Sequence, residues 1–211
     1  MSRVNNAAEQ RATIIAATIR VLTRDGLAET TTRKIATEAD VNLATLRYYF
    51  GGKDDLLLAV LQEMMQLTRQ IVQNSLTANE DLHIAIAEGL KAFWSHVEEA
   101  PELQIIQYEL TLYALRHPTS AWLAREQYSG YSSVIESLLE GYLEAAGKIS
   151  ATPLAEVARF LVGGIDGLIL QFISEPDTTR ARKSLDHLIA TTIALVEERQ
   201  HFPDTKIPVS D

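Results

Sequence analysis

A chain of 211 residues, 46% of them hydrophobic and none of them cysteine, can bury a sizeable core without a metal or a disulfide. The absence of thiols excludes cysteine nucleophiles, structural disulfides and cysteine-held zinc. The net charge of −9 argues against general nucleic-acid binding, but it is uneven: residues 1–53 hold eight Lys/Arg against five Asp/Glu, a net of +3, and residues 54–211 hold eleven against twenty-three, a net of −12.

That split suits a protein whose one end meets a polyanion while an acidic body keeps it in solution. The opening MSRVNNAAEQRATI has no apolar signal core, and no uninterrupted run of 18 apolar residues follows. The expectation is a soluble cytoplasmic protein with no membrane partner.

Ala, Leu, Glu, Gln and Arg dominate, strand-like alternation is absent, and the whole chain reads all-α with about nine helices. The first runs from Asn6 to Asp25, repeats apolar residues from Ile14 to Leu22, and ends at Gly26. Thr32 is the expected N-cap of a short helix through Ala39. Asp40-Val41-Asn42 makes a tight turn, and Leu43 to Phe50 forms a third short helix. Gly51-Gly52 breaks it, and Asp54 and Asp55 open a long helix to about Leu76, where acids suit the positive helix end. Further helices follow from about Asn79 to Ala100, Pro101 to Arg116, Thr119 to Ala146, Pro153 to Ser174 and Thr178 to about His201. The expected division is a helix-turn-helix DNA-binding domain over 1–53, a helical ligand-binding and dimerisation domain over 54–202, and a flexible tail over 203–211.

Two short helices joined by a tight turn are the helix-turn-helix arrangement, in which the second helix fits the DNA major groove. Ile35, Ala36, Val41, Leu46 and Phe50 can form its small shared core. Leu43, Ala44, Arg47 and Tyr48 then fall on the other side of the second helix. Arg33, Lys34, Arg47 and Lys53 crowd the same stretch. Cations in a first helical turn oppose the helix dipole, and an arriving phosphate reverses that balance. The adjacent Tyr48 and Tyr49 cannot both point inward, and phosphate gives their hydroxyls a partner.

These residues resemble the helix-turn-helix of the TetR family of bacterial transcriptional regulators. The likeness runs through Thr31-Thr32-Arg33-Lys34-Ile35-Ala36, Glu38-Ala39-Asp40-Val41, Thr45-Leu46-Arg47-Tyr48-Tyr49-Phe50, Lys53 and Leu56. The resemblance implies that Leu43, Ala44 and Arg47 face bases, that Arg33 reaches a base edge, and that Thr32, Thr45, Tyr48, Tyr49 and Lys53 contact phosphate. It also implies a homodimer on a palindromic double-stranded operator, a repressor released by a small organic molecule. Asp40 departs from the family's usual glycine; aspartate tolerates a left-handed turn better than most residues. Asn42 and Ala44 replace a usual serine and glycine, and Asn42 still suits a cap.

In PLAEVARFLVGGIDGLILQFISEP, Gly163, Gly164 and Gly167 interrupt an apolar helix, each costing about 1 kcal/mol of helix stability against alanine. Close approach by another backbone accounts for that cost. With Leu185, Leu188, Ile189, Thr192, Leu195 and Val196 of the last helix they form the expected dimer interface, a four-helix arrangement with their mates; the alternative is a helix buried within a monomer. Asp166, alone in the apolar run, needs a pairing partner, with Arg159, Arg180 and Arg182 as candidates.

The resemblance further implies an effector held in the C-terminal bundle. Its candidate lining is Phe93, Trp94, Val97, Tyr108, Glu109, Leu112, Tyr113, Tyr128 and Tyr131, with Trp122 nearby in sequence; the rival reading makes the same aromatics plain core. Glu109 among aromatics suits a cationic or hydrogen-bonding organic ligand.

No glycine-rich phosphate loop, G-x-S-x-G or H-E-x-x-H is present. The five histidines are scattered without metal-ligand spacing, so no enzyme activity, cofactor or metal is expected. The remaining alternative is a helical ligand-binding or interaction module without sequence-specific DNA binding.

Overall fold

The computed structural model describes residues 3–74 and 81–197. Among them the chain forms nine helices and no strand: α1 (Arg3–Glu29), α2 (Thr32–Glu38), α3 (Leu43–Phe50), α4 (Lys53–Asn74), α5 (Leu82–Glu99), α6 (Pro101–Arg116), α7 (Ala121–Ala146), α8 (Leu154–Ser174) and α9 (Thr178–Glu197). The expected tail over 203–211, and the ends of the fourth and last helices as expected at Leu76 and His201, lie outside the described residues.

The described residues divide into two compact units, one of residues 3–74 with 92–130, the other of residues 81–91 with 131–197. Helices α5 and α7 each contribute to both.

In the first unit α1 carries an apolar stripe of Ile14, Ala17, Val21 and Leu22, all buried. It packs on α2, α4 and α6. The stripe repeats at three and four residues, as one helix face requires. Gly26 interrupts α1 with φ 74 and ψ 168, so the helix proper stops where the sequence indicates. Leu56, Leu57, Val60 and Leu61 of α4 are fully buried, and α6 packs on both α1 and α4. Pro101 stands in the first turn of α6, where its missing N–H costs nothing.

In the second unit α8 and α9 form a close pair. Val157, Leu161, Ile165, Ile169 and Phe172 of α8 are buried, as are Leu185, Leu188, Ile189, Thr192 and Val196 of α9. Gly164 makes the pairing close: a Cβ there would stand 2.5 Å from Leu188 Cδ1. Asp177 caps α9, its carboxylate accepting from Arg180 N–H at 2.9 Å. By length and composition α8 could cross a membrane, with a mean hydropathy of 1.5 over its most apolar stretch. Its buried stripe is instead covered within the chain, with α9 as its main neighbour.

Candidate functional site

The α2–turn–α3 segment is fixed by short-range chemistry. Thr31 is the cap of α2, its hydroxyl accepting from Lys34 N–H at 3.3 Å. This corrects the expectation that Thr32 caps: the hydroxyl three residues before the free N–H is the one that reaches it, and Thr32 becomes the first helical residue. At the other end Asp40 adopts φ 52. Val41 N–H donates to Ala36 O at 2.9 Å and Asp40 N–H to Thr37 O at 3.2 Å. Those two bonds are the glycine-type helix stop, executed here by an aspartate. Asn42 then caps α3, its Oδ1 accepting from Thr45 N–H at 2.8 Å and lying 3.1 Å from Thr45 Oγ1.

Gly51 ends α3 in a γ-turn with φ 70 and ψ −66, closed by Gly52 N–H donating to Phe50 O at 2.7 Å. A side chain there would be strained by the positive φ, and its Cβ would make the Asp55 carboxylate, 2.9 Å away, shift.

Ile35, Ala36, Leu46 and Phe50 are buried, as the shared core requires, while Val41 is only partly covered. The opposite face of α3 is open. Ala44 and Arg47 are exposed, Leu43, Thr45 and Tyr49 are partly exposed, and Tyr48 is 83% exposed with its ring edge-on to Tyr49 at 5.2 Å. A tyrosine so exposed on a short helix costs apolar hydration and has no intrachain reason to be there.

The cations of this stretch are not equivalent. Lys34 is engaged by Asp25 at 3.0 Å. Glu38 receives Arg20 Nε at 2.8 Å and Arg24 Nη1 at 2.9 Å, so one carboxylate ties α2 to α1. Hydrogen bonds from these guanidinium groups hold the Glu38 carboxyl below its usual range, and Arg24 followed by Lys34 does the same for Asp25. Lys53 reaches the Leu27 carbonyl at 3.5 Å, a weak tether. Arg33 and Arg47 are exposed and find no ionic partner among the described residues. Arg11, which the sequence reading passed over, lays its guanidinium 5.2 Å from the centre of the Phe50 ring.

The effector candidates are distributed. Phe93, Trp94 and Val97 of α5 are buried, and the Trp94 indole donates to Glu98 Oε1 at 2.8 Å. Tyr108, Glu109, Tyr128 and Tyr131 are partly buried. Leu112 is 57% exposed and, with Ile105 and Leu115, lies on the outer face of α6; an inward role for it does not fit. Trp122 is likewise about half exposed.

Tyr113 is occupied otherwise. Its hydroxyl donates to Asp54 Oδ1 at 2.6 Å, joining α6 to the first turn of α4. Burial, with the hydrogen bond to Asp54, pushes its phenol up to about 12. His117 stacks on the same ring at 4.1 Å and sets Nδ1 2.7 Å from the Tyr113 carbonyl.

Gln104, Gln107 and Thr111 of α6 and Gln127 of α7 are buried polar residues, and Thr111 Oγ1 lies 2.9 Å from Gln127 Oε1. Glutamines at helical spacing look like a solvated face until the neighbouring helix is known.

Of the interface candidates, Leu185, Leu188, Ile189, Thr192 and Val196 have 9% or less of their surface exposed, and Gly164 faces Leu188. Within the single chain little of their surface is left open. Leu195 is partly exposed. What remains open is a different strip of α8: Phe160 and Leu170 at 42% and 51% exposure, with Gly163 and Gly167 between them, whose missing Cβ atoms would point into open space. Asp166 is partly buried and not without a partner; Arg180, one of its candidates, instead binds Glu175 at 3.1 Å.

Residues 14–60 match the family model for bacterial regulatory proteins of the tetR family, and residues 81–195 match that of the tetracyclin repressor-like C-terminal domain. The chain is 32% identical over 183 residues to the nicotine-responsive transcriptional repressor HdnoR of Paenarthrobacter nicotinovorans, covering 86% of this chain and 92% of that one. Its fold is similar to that of the multidrug binding protein EbrR complexed with imidazole, at TM-score 0.62 and 27% identity over 86% of this chain and 89% of that one. A TetR transcription regulator from Haloarcula marismortui shares the fold at TM-score 0.78 and 21% identity, over 90% and 100% of the two chains. With a capped α3 whose outer face is uncovered and both halves matched, the chain belongs to the TetR family of ligand-responsive, DNA-binding transcriptional regulators.

Proposed function

We propose that the chain is a homodimeric repressor that sets two α3 helices into successive major-groove turns of a palindromic operator and lets go when a small organic effector binds. The observation that carries the reading is the open face of α3. Leu43, Ala44 and Arg47 would meet bases, with Arg33 reaching a base edge from α2. Thr32, Thr45, Tyr48, Tyr49 and Lys53 would meet phosphate. An arginine can bond guanine O6 and N7 together, which discriminates by about 1–3 kcal/mol. Two half-sites one turn apart need two copies spaced by roughly 34 Å or a multiple.

Pairing would use the open strip of α8, with Phe160, Gly163, Gly167 and Leu170 approaching their mates, and the partly exposed Leu195 alongside. Exposed apolar surface beside bare helix backbone supports close helix contact. In this reading residues 1–53 read DNA and residues 54–202 bind effector and partner. The protein works in the cytoplasm without catalysis, cofactor or membrane.

Release is a coupling free energy. The effector weakens operator binding only by its preference for the non-binding conformation. Helix α4 would be the lever, held at its first turn by Tyr113 and Asp54. The relative named nicotine-responsive, and EbrR named multidrug binding, support a small organic effector. Selection of duplexes from random DNA, with and without a small-molecule library, tests the reading. A palindromic consensus lost on adding some compounds is expected; no enrichment would overturn it.

A further inference from the structure

Arg69 lies near the C-terminal end of α4 and is partly buried. Its Nε is shut off from solvent and has no hydrogen-bond partner. No ion pair of its guanidinium is found among the described residues. The group is tucked against α7 at Gly130: a Cβ there would stand 2.5 Å from Nη2, 3.1 Å from Cζ and 3.3 Å from Nε. A side chain at 130 would make the guanidinium shift from this position. One turn earlier on α7 stands Gln127, 1% exposed, with Thr111 of α6 at its side-chain carbonyl.

An arginine cannot shed its charge when covered, unlike lysine. Only the Nε is shut off, the side chain as a whole being partly buried, and an unpaired donor in such a place calls for an acceptor. The guanidinium fork matches a planar carboxylate.

We propose that Arg69 anchors a carboxylate of the effector, seated against Gly130 on α7 beside the Thr111–Gln127 pair. The effector class in this proposal is organic acids, where Glu109 among aromatics suits a cationic or hydrogen-bonding ligand. This rests on the regulator reading only in calling the bound acid an effector; the anion site itself stands apart from DNA binding.

Formate, the smallest carboxylate, tests the site without knowledge of the effector's body. The full-length protein, labelled with 15N, is titrated with sodium formate replacing sodium chloride at constant ionic strength. The Arg69 Nε–H resonance is assigned by its loss in Arg69→Lys. It is expected to shift saturably, while the resonance of exposed Arg33 drifts only with bulk salt. Gly130→Ala should weaken the formate response on the order of tenfold by displacing the guanidinium. Methylammonium chloride should leave the resonance still.

Arg69→Met adds a readout of opposite sign to a structural role. Under the proposal the effector-free melting temperature holds or rises, since an unpaired charge is removed. A clear fall would assign Arg69 to packing and overturn the proposal. So would an unsaturable shift equal to that of Arg33, or a saturable response to methylammonium and none to formate. Operator binding by a protein whose Arg69 ignores formate would sink the anion site and leave the regulator reading intact. A formate site in a protein without operator preference would do the reverse.

Discussion

The outer faces of α3 and α8 are both left uncovered by the described residues, and they differ in what they leave open. On α3 the open groups are a guanidinium, hydroxyls and one highly exposed tyrosine ring. On α8 they are a phenyl ring, a leucine and two glycines with nothing before them. The first set hydrogen-bonds and carries positive charge, so its natural complement is a polyanion with base edges. The second set offers only apolar area and close backbone approach, so its natural complement is another such helix. Burial alone would not separate them; the chemistry of the uncovered atoms does.

The widest contrast comes from placing charge on the apolar strip. Phe160→Glu with Leu170→Glu should cost about 2–4 kcal/mol of dimer association, turning a dimer into monomers by sedimentation while leaving the helix content unchanged. An unchanged dimer would move the interface elsewhere. On the polar face, Arg47→Ala should lose about 1–3 kcal/mol of preference for one base pair and relax selection there. Lys53→Ala should weaken all duplexes alike and lower the salt slope by about 1.

Within the first unit the Tyr113–Asp54 contact joins α6 to the first turn of α4. Tyr113→Phe should remove about 1 kcal/mol of unfolding free energy. If α4 is the lever, it should also change the effector concentration needed for release while sparing operator affinity less than twofold. The smallest effect concerns acid. The carboxyls of Glu38 and Asp25 are held low by their cationic partners, so their contribution is present above the ordinary carboxylate range and is lost as pH falls through their lowered values. Amide exchange should therefore loosen α2 on acidification before it loosens the apolar α8–α9 pair. Simultaneous loosening would show that the clamp matters little.

Much of the architecture was legible because helices announce themselves by local chemistry. Gly26, Asp40, Gly51 and Gly147 all stand at positive φ where the sequence marked an end or a turn. Ile35, Ala36, Leu46 and Phe50 of the shared core followed from period, while Val41 of the turn is only partly covered. Cap positions slipped by one residue, as at Thr31 and Thr32, because both hydroxyls compete and only backbone geometry decides. What the sequence withheld was which neighbour covers a face. Leu185, Leu188 and Thr192 have the spacing of an interface and are already buried within the single chain, where Leu188 lies against Gly164. Lys34 stands in the cationic stretch and is bound to Asp25 nine residues away. Tyr113 bonds to a residue 59 positions away, a contact that no local pattern marks. The buried glutamines of α6 and α7, and Arg69 against Gly130, involve no local signal at all.

The most direct trial of the central claim is stoichiometry and preference measured together on one duplex. Fluorescence anisotropy of a selected palindromic duplex, followed across salt and against random competitor, should give two protomers per duplex, a steep inverse salt dependence, and a preference that Arg47→Ala relaxes. A single protomer bound with equal affinity to selected and random DNA would contradict it.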